Sequence, residues 1–143
     1  MTFLLSLFTL LFPFVSAPAP QVLNLRVLAP TAGGQVYVAA YDTPEGFEDE
    51  DNIAHAIHPL PDESVRAEIS LEVPAKGEYV LAAFQDLNGN GELDKNFFGV
   101  PTEPYGFARV PPSKWRTPHF GEIATVVNAG DEFHIELRHW ADY

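Results

Sequence analysis

The sequence predicts an all-β protein, a single antiparallel β-sandwich, and three observations carry that reading. Apolar residues alternate with polar ones in several short runs, the period of strands that bury one face. No stretch of about ten residues carries a helical stripe. Thirteen prolines are scattered along the chain, and a proline inside a helix removes a hydrogen bond and clashes with the preceding turn. Strand-length segments separated by turn residues are the pattern of a sandwich of transthyretin-like or immunoglobulin-like kind.

The elements follow in order. Leu23, Leu25 and Val27 alternate with Asn24 and Arg26, and Gly33-Gly34 then turns into Val36 to Tyr41; this pair reads as a hairpin. Glu45 to His58 has sparse apolar positions and room for one or two helical turns. Val65, Ala67, Ile69 and Leu71 alternate with Arg66, Glu68 and Ser70, giving a half-buried strand, and Pro74 to Gly77 is a turn. Tyr79 to Phe84 has almost no polar position, so it is expected to be a central strand covered on both faces. Ile123 to Val127 reads as a short strand, Asn128 to Asp131 as a turn, and Phe133, Ile135 and Leu137 as the inward positions of a last strand. Between them, Phe97 to His119 is rich in proline and aromatics and poor in alternation. It is expected to be a long structured excursion packed on the sandwich.

Residues 1–17 read as a signal peptide and residues 18–143 as one domain. Phe3 to Val15 is apolar apart from Ser6, Thr9 and Pro13, no charge precedes Arg26, and the run is short for a membrane span. Val15-Ser16-Ala17 suits cleavage after Ala17, although Pro18 follows, and a cut nearer residue 20 is the alternative; a retained anchor is the competing reading. The expectation is an exported protein, periplasmic or secreted, without a stable membrane span once processed. The chain has no cysteine, which excludes a disulfide framework and a lipid-anchored lipoprotein. A net charge of −12 repels phosphate backbones, so nucleic acid is disfavoured as a partner, and it favours cations.

The densest chemical signal is Asp86-Leu-Asn-Gly-Asn-Gly-Glu-Leu-Asp-Lys-Asn96. Asp86, Asn88, Asn90 and Asp94 occupy relative positions 1, 3, 5 and 9 of an EF-hand-type loop, Gly91 the sharp-turn position 6, and the carbonyl of Glu92 position 7. Position 12, ordinarily a bidentate Glu, is Phe97, so a Ca2+ site here needs a ligand from elsewhere and is expected to be weak. Asn-Gly pairs are also the chemistry of metal-free tight turns, and both readings stand at this point. Glu103, held between Pro101 and Pro104 in Val100 to Phe107, is the candidate extra ligand or, alternatively, a buried acceptor for main-chain N–H groups.

This central block has relatives. Gly77-Glu78-Tyr79 leading through Phe84-Gln85-Asp86 into the Asn-Gly-rich loop, then Gly99-Val100-Pro101-Thr102-Glu103-Pro104-Tyr105-Gly106-Phe107, resembles the bacterial family known as domain of unknown function 2141. The resemblance is densest from Gly77 to Ala108 and weaker on both sides. It implies an exported β-sandwich and brings no established activity. Two positions depart from the family's habit: Gln85 stands where a His is common, and Ala108 where a Ser is common.

Other chemistry is thin. His55, His58 and His119 lack the spacing of a zinc set, and Glu48 to Asp51 reads as a solvated acidic loop. There is no nucleophile motif and no glycine-rich phosphate cradle. Tyr105 and Trp115, with Phe107, form either a sugar-binding platform or a plug over the end of the sandwich. The sequence thus reads as a non-enzymatic binding or structural module of the bacterial envelope, for an unidentified envelope or extracellular ligand. Its rivals are a carbohydrate-recognition module using Tyr105 and Trp115, and a small hydrolase using Glu103 beside Asp94.

Overall fold

The computed structural model describes residues 16–143; the segment Phe3 to Val15, read above as a leader, lies outside the described residues. The chain forms β1 (Gln21–Leu28), β2 (Gln35–Tyr41), α1 (Pro44–Glu48), β3 (Ala54–Pro59), β4 (Arg66–Val73), β5 (Gly77–Asp86), β6 (Tyr105–Phe107), α2 (Phe120–Ile123), β7 (Thr125–Val127) and β8 (Glu132–Glu136), with a final 3-10 turn at Trp140–Asp142. Two sheets pack together. The first has the order β4-β1-β8; the second has β3-β2-β5-β6, with β7 also pairing β5.

Alternation explains the core. Leu23, Leu25 and Val27 of β1, Ala67, Ile69, Leu71 and Val73 of β4, and Ile135 of β8 face Val36, Val38 and Ala40 of β2 and Tyr79, Leu81 and Ala83 of β5. Each fully buried Leu, Ile or Val contributes about 1.5–3 kcal/mol of transfer free energy. β5 is central and covered on both faces, as its unbroken apolar run predicts. On its outer side Val80 packs with Ile123 and Ala124 under Tyr41, Phe47, Phe107 and Phe120.

Four expectations are corrected. β1 and β2 are not a hairpin: β1 pairs β4 and β8, whereas β2 pairs β3 and β5. Alternation specifies which face is buried, not which strand lies alongside, and residues 29–34 cross from one sheet to the other. The glycines serve that crossing. A Cβ on Gly34 would lie 2.3 Å from the Asp86 carbonyl oxygen, so the crossing packs directly on the end of β5. Second, the pairing is not wholly antiparallel, because β8 runs parallel to β1. β7 joins β5 in the other sheet, so the 128–131 turn also changes sheets and does not close a hairpin. Third, the stretch Glu45 to His58 holds one helical turn as expected, in Pro44–Glu48, capped by the Thr43 hydroxyl, which accepts from the Gly46 N–H at 3.1 Å, but its end is a strand, the edge strand β3 at Ala54–Pro59. Fourth, Ile123 ends α2 and does not open β7.

Candidate functional site

The loop after β5 is built from its main chain outward. Asp86, the last residue of β5, is fully buried; its Oδ1 accepts from the Gly89 N–H at 2.7 Å and its Oδ2 from the Gly91 N–H at 2.8 Å. Gly89 and Gly91 adopt left-handed conformations, with φ of +77° and +79°, and so bring those N–H groups inward. Asn88 Oδ1 accepts from Asn90 N at 3.1 Å, and Asn90 Oδ1 from Glu92 N at 3.0 Å, two successive Asx turns. Asp94 takes the side-chain amides: Asn90 Nδ2 donates to its Oδ1 at 2.9 Å, and Asn88 Nδ2 donates to its Oδ2.

Glu103 closes the loop from the far side. It is 5% exposed; its Oε1 accepts from Leu87 N at 2.8 Å and its Oε2 from Asp94 N at 3.3 Å. Of the two roles open to it in the sequence, the geometry supplies the main-chain acceptor. The hydrolase reading needs Glu103 in an open cleft, and the carboxylate is instead enclosed, with both oxygens engaged. The spacing therefore did bring Asp86, Asn88, Asn90 and Asp94 into one turn with Glu103 at its foot. Glu92 contributes its main chain, and its side chain is exposed.

Beyond Asp94 the chain forms a narrow ribbon. Thr102 N donates to Asp94 O at 2.8 Å, Asn96 N to Val100 O at 2.8 Å, and Gly99 N to Asn96 O at 2.9 Å. Phe97 and Phe98 sit at the tip, 96% and 84% exposed, with rings edge to face. In the sequence Phe97 marks the missing ligand and the start of the excursion, and Phe97 and Phe98 are not singled out there as an exposed pair. The signal was available: Asn96 and Gly99 are the favoured first and fourth residues of a β-turn, which places the two residues between them outside. Lys95 ties the ribbon to Glu50 at 3.2 Å.

The two aromatics proposed as a platform sit in two different aromatic pairs. Tyr105 belongs to the plug: its ring stacks on Tyr143 at 4.9 Å, meets Phe107 edge to face, and its carbonyl accepts from the Tyr143 hydroxyl at 2.8 Å. Burial raises the Tyr105 phenol above its ordinary range, and raises Tyr143 further still. Trp115 is 78% exposed, edge to face with Trp140, and Lys114 lies over both rings. Trp140 and Lys114 were not anticipated, because nothing in their spacing announces that they meet. Gln85, fully buried, donates through Nε2 to the carbonyls of Thr31 and Gly33 at 2.9 and 2.8 Å, while its Oε1 has no partner.

With β5, its loop and the Pro-Glu-Pro return all in place, the comparison with known families is decisive. The family described as "uncharacterized protein conserved in bacteria (DUF2141)" matches residues 29–135, a span holding seven of the eight strands in whole or large part. The chain belongs to DUF2141. No curated protein and no solved structure matches it. In this DUF2141 protein no helix among the described residues is long and apolar enough to cross a membrane.

Proposed function

We propose that this DUF2141 protein is an exported, non-enzymatic binding or structural module of the bacterial envelope, with a weak Ca2+ site in the Asp86–Asn96 loop. Its two packed sheets are read as a transthyretin-like or immunoglobulin-like sandwich that serves as the rigid scaffold. The observation that carries the proposal is the convergence of Asp86, Asn88, Asn90 and Asp94 in one turn whose foot Glu103 holds. Turning over the Asn88 and Asn90 amides presents oxygen beside Asp94 where nitrogen now donates. Asp86 and the Glu92 carbonyl then add to an all-oxygen set suited to a hard cation. Glu103 braces this site and does not ligate.

The exchange gives up two Asx-turn hydrogen bonds, and no carboxylate occupies position 12. The affinity then belongs with weak extracellular modules, at about 10⁻⁴–10⁻³ M. Calorimetric titration with calcium, with melts in calcium and in chelator, tests this. At free calcium ten times the dissociation constant, mass action adds about 1.4 kcal/mol and raises the melting temperature by several degrees. A wild-type melt indifferent to millimolar calcium sinks the metal half of the proposal. One observation favours a second reading, carbohydrate recognition: the exposure of Trp115 beside Lys114 and Trp140. Saccharide quenching of tryptophan fluorescence that survives Trp115→Ala removes it.

A further inference from the structure

We propose that Asn88 and Asn90 are spontaneous deamidation sites, and that Asp86 holds their conversion to aspartate in check. The inference goes beyond the calcium reading, and its test runs in chelator, so the failure of either leaves the other standing.

The sequence isolates the pair. Of six asparagines, Asn24, Asn52, Asn96 and Asn128 precede Leu, Ile, Phe and Ala, and only Asn88 and Asn90 precede glycine. Deamidation begins when the main-chain nitrogen of the following residue attacks the side-chain Cγ, and a side chain on that residue obstructs the approach. Both asparagines are exposed, and a Cβ built on Gly89 would meet nothing within 4 Å. The step balances with water alone. The glycine nitrogen loses its proton to a solvent base and bonds to Cγ, the Cγ–Nδ2 bond breaks, and Nδ2 takes up a proton and leaves as ammonia. Water then opens the resulting succinimide ring to aspartate or isoaspartate.

The loop both assists this reaction and blocks it. Asn90 N donates to Asn88 Oδ1 at 3.1 Å and Glu92 N to Asn90 Oδ1 at 3.0 Å. Each carbonyl under attack therefore has a donor on the oxygen where negative charge would develop. The attacking nitrogens are what is held. Gly89 N donates to Asp86 Oδ1 at 2.7 Å and Gly91 N to Asp86 Oδ2 at 2.8 Å, so one carboxylate restrains both nucleophiles. Loss of either proton would set a nitrogen anion against a buried carboxylate, where like charges are poorly screened. Asp94 adds to the restraint by accepting from both Nδ2 groups, the atoms that must depart. Conversion would place carboxylates at all four of positions 1, 3, 5 and 9, and a calcium loop tightens with its count of charged ligands. That consequence alone rests on the calcium reading.

The test incubates the full chain in chelator at mildly alkaline pH and follows all six asparagines by peptide mass spectrometry, reading the mass gained when an amide becomes an acid. In native wild type, Asn88 and Asn90 should convert about tenfold or more slowly than in guanidinium, where the other four should lag behind them. Asp86→Ala, with a melt showing that it is folded, should speed both sites by about tenfold or more under native conditions. Glu103→Gln loosens the foot of the loop but keeps the Asp86 bonds, so it should change the rates little. Should Asp86→Ala unfold, Asp86→Asn keeps the size and one acceptor oxygen, and at least one of the two sites should then quicken. The proposal is overturned if native and unfolded wild type convert alike, or if a folded Asp86 variant converts no faster. It is equally overturned if Glu103→Gln quickens the sites as much as the Asp86 variant does, because general loosening would then be the cause.

Discussion

Asp86 and Asp94 are the same letter in the same loop, yet their environments differ. Asp86 is enclosed and bonded to two main-chain N–H groups; Asp94 is part-exposed and bonded to two side-chain amides. Removing a buried charged acceptor strands its donors, so Asp86→Ala in chelator should cost about 3 kcal/mol by denaturant unfolding, and Asp94→Ala about 1 kcal/mol or less. If both variants lose equally, the buried foot described for Asp86 is wrong. The spacing was legible because ligand loops and Asx-turn loops use the same residue types. Which oxygen faces inward was not, since it depends on β5 extending as far as Asp86. Glu122 offers a pH test at the same scale. Hydrogen bonds from Arg116, at 2.6 and 2.8 Å, and then from His119 N, at 2.9 Å, hold its carboxyl down from an ordinary 4.5 to about 2. A folded-state value below the unfolded one stabilises above about 4.5 and is lost as pH falls toward about 2. The melting-temperature gap between wild type and Glu122→Gln should close across that window, and a gap independent of pH would refute the pairing.

At the scale of elements, strands with a clean period of two were readable, and short or edge strands were not. β1, β4 and β8 alternate over most of their length, and β5 declares itself by an unbroken apolar run. β3 offers Ala54, Ala56 and His58 as its inward positions, too weakly apolar to distinguish from a loop, and β6 has only three residues. Gly33-Gly34 was read as hairpin chemistry, although its requirement is tertiary. Gly34 has φ of +73° and abuts the end of β5, whereas Gly130, at +78°, has nothing within 4 Å of a built Cβ. Gly130→Ala should therefore cost about 1 kcal/mol, the left-handed penalty alone. Gly34→Ala should cost distinctly more, about 3 kcal/mol, because the Asp86 carbonyl must also move. Equal losses in denaturant melts would mean that conformation, and not the close approach, fixes Gly34.

At the scale of the molecule, the residue pattern specified two buried faces and left their connections open. The chain changes sheets four times, between β1 and β2, β3 and β4, β4 and β5, and β7 and β8; the changes at 29–34 and 128–131 occur at turns whose letters also suit hairpins, and β8 lies parallel beside β1. The resulting body is a core with the ribbon mounted outside it. The ribbon after Asp94 is shut at its foot by Thr102 and Glu103, and its tip touches nothing that the core needs. A double Phe97→Ser, Phe98→Ser change should leave the unfolding free energy within about 0.5 kcal/mol, as checked by chemical denaturation. A loss of several kcal/mol would show the tip to be packed. What such neutrality confers is freedom to diverge. Mutation at Phe97 and Phe98 is screened by whatever the tip meets and not by whether the protein folds, so a lineage can exchange one partner for another there while inheriting the scaffold unchanged.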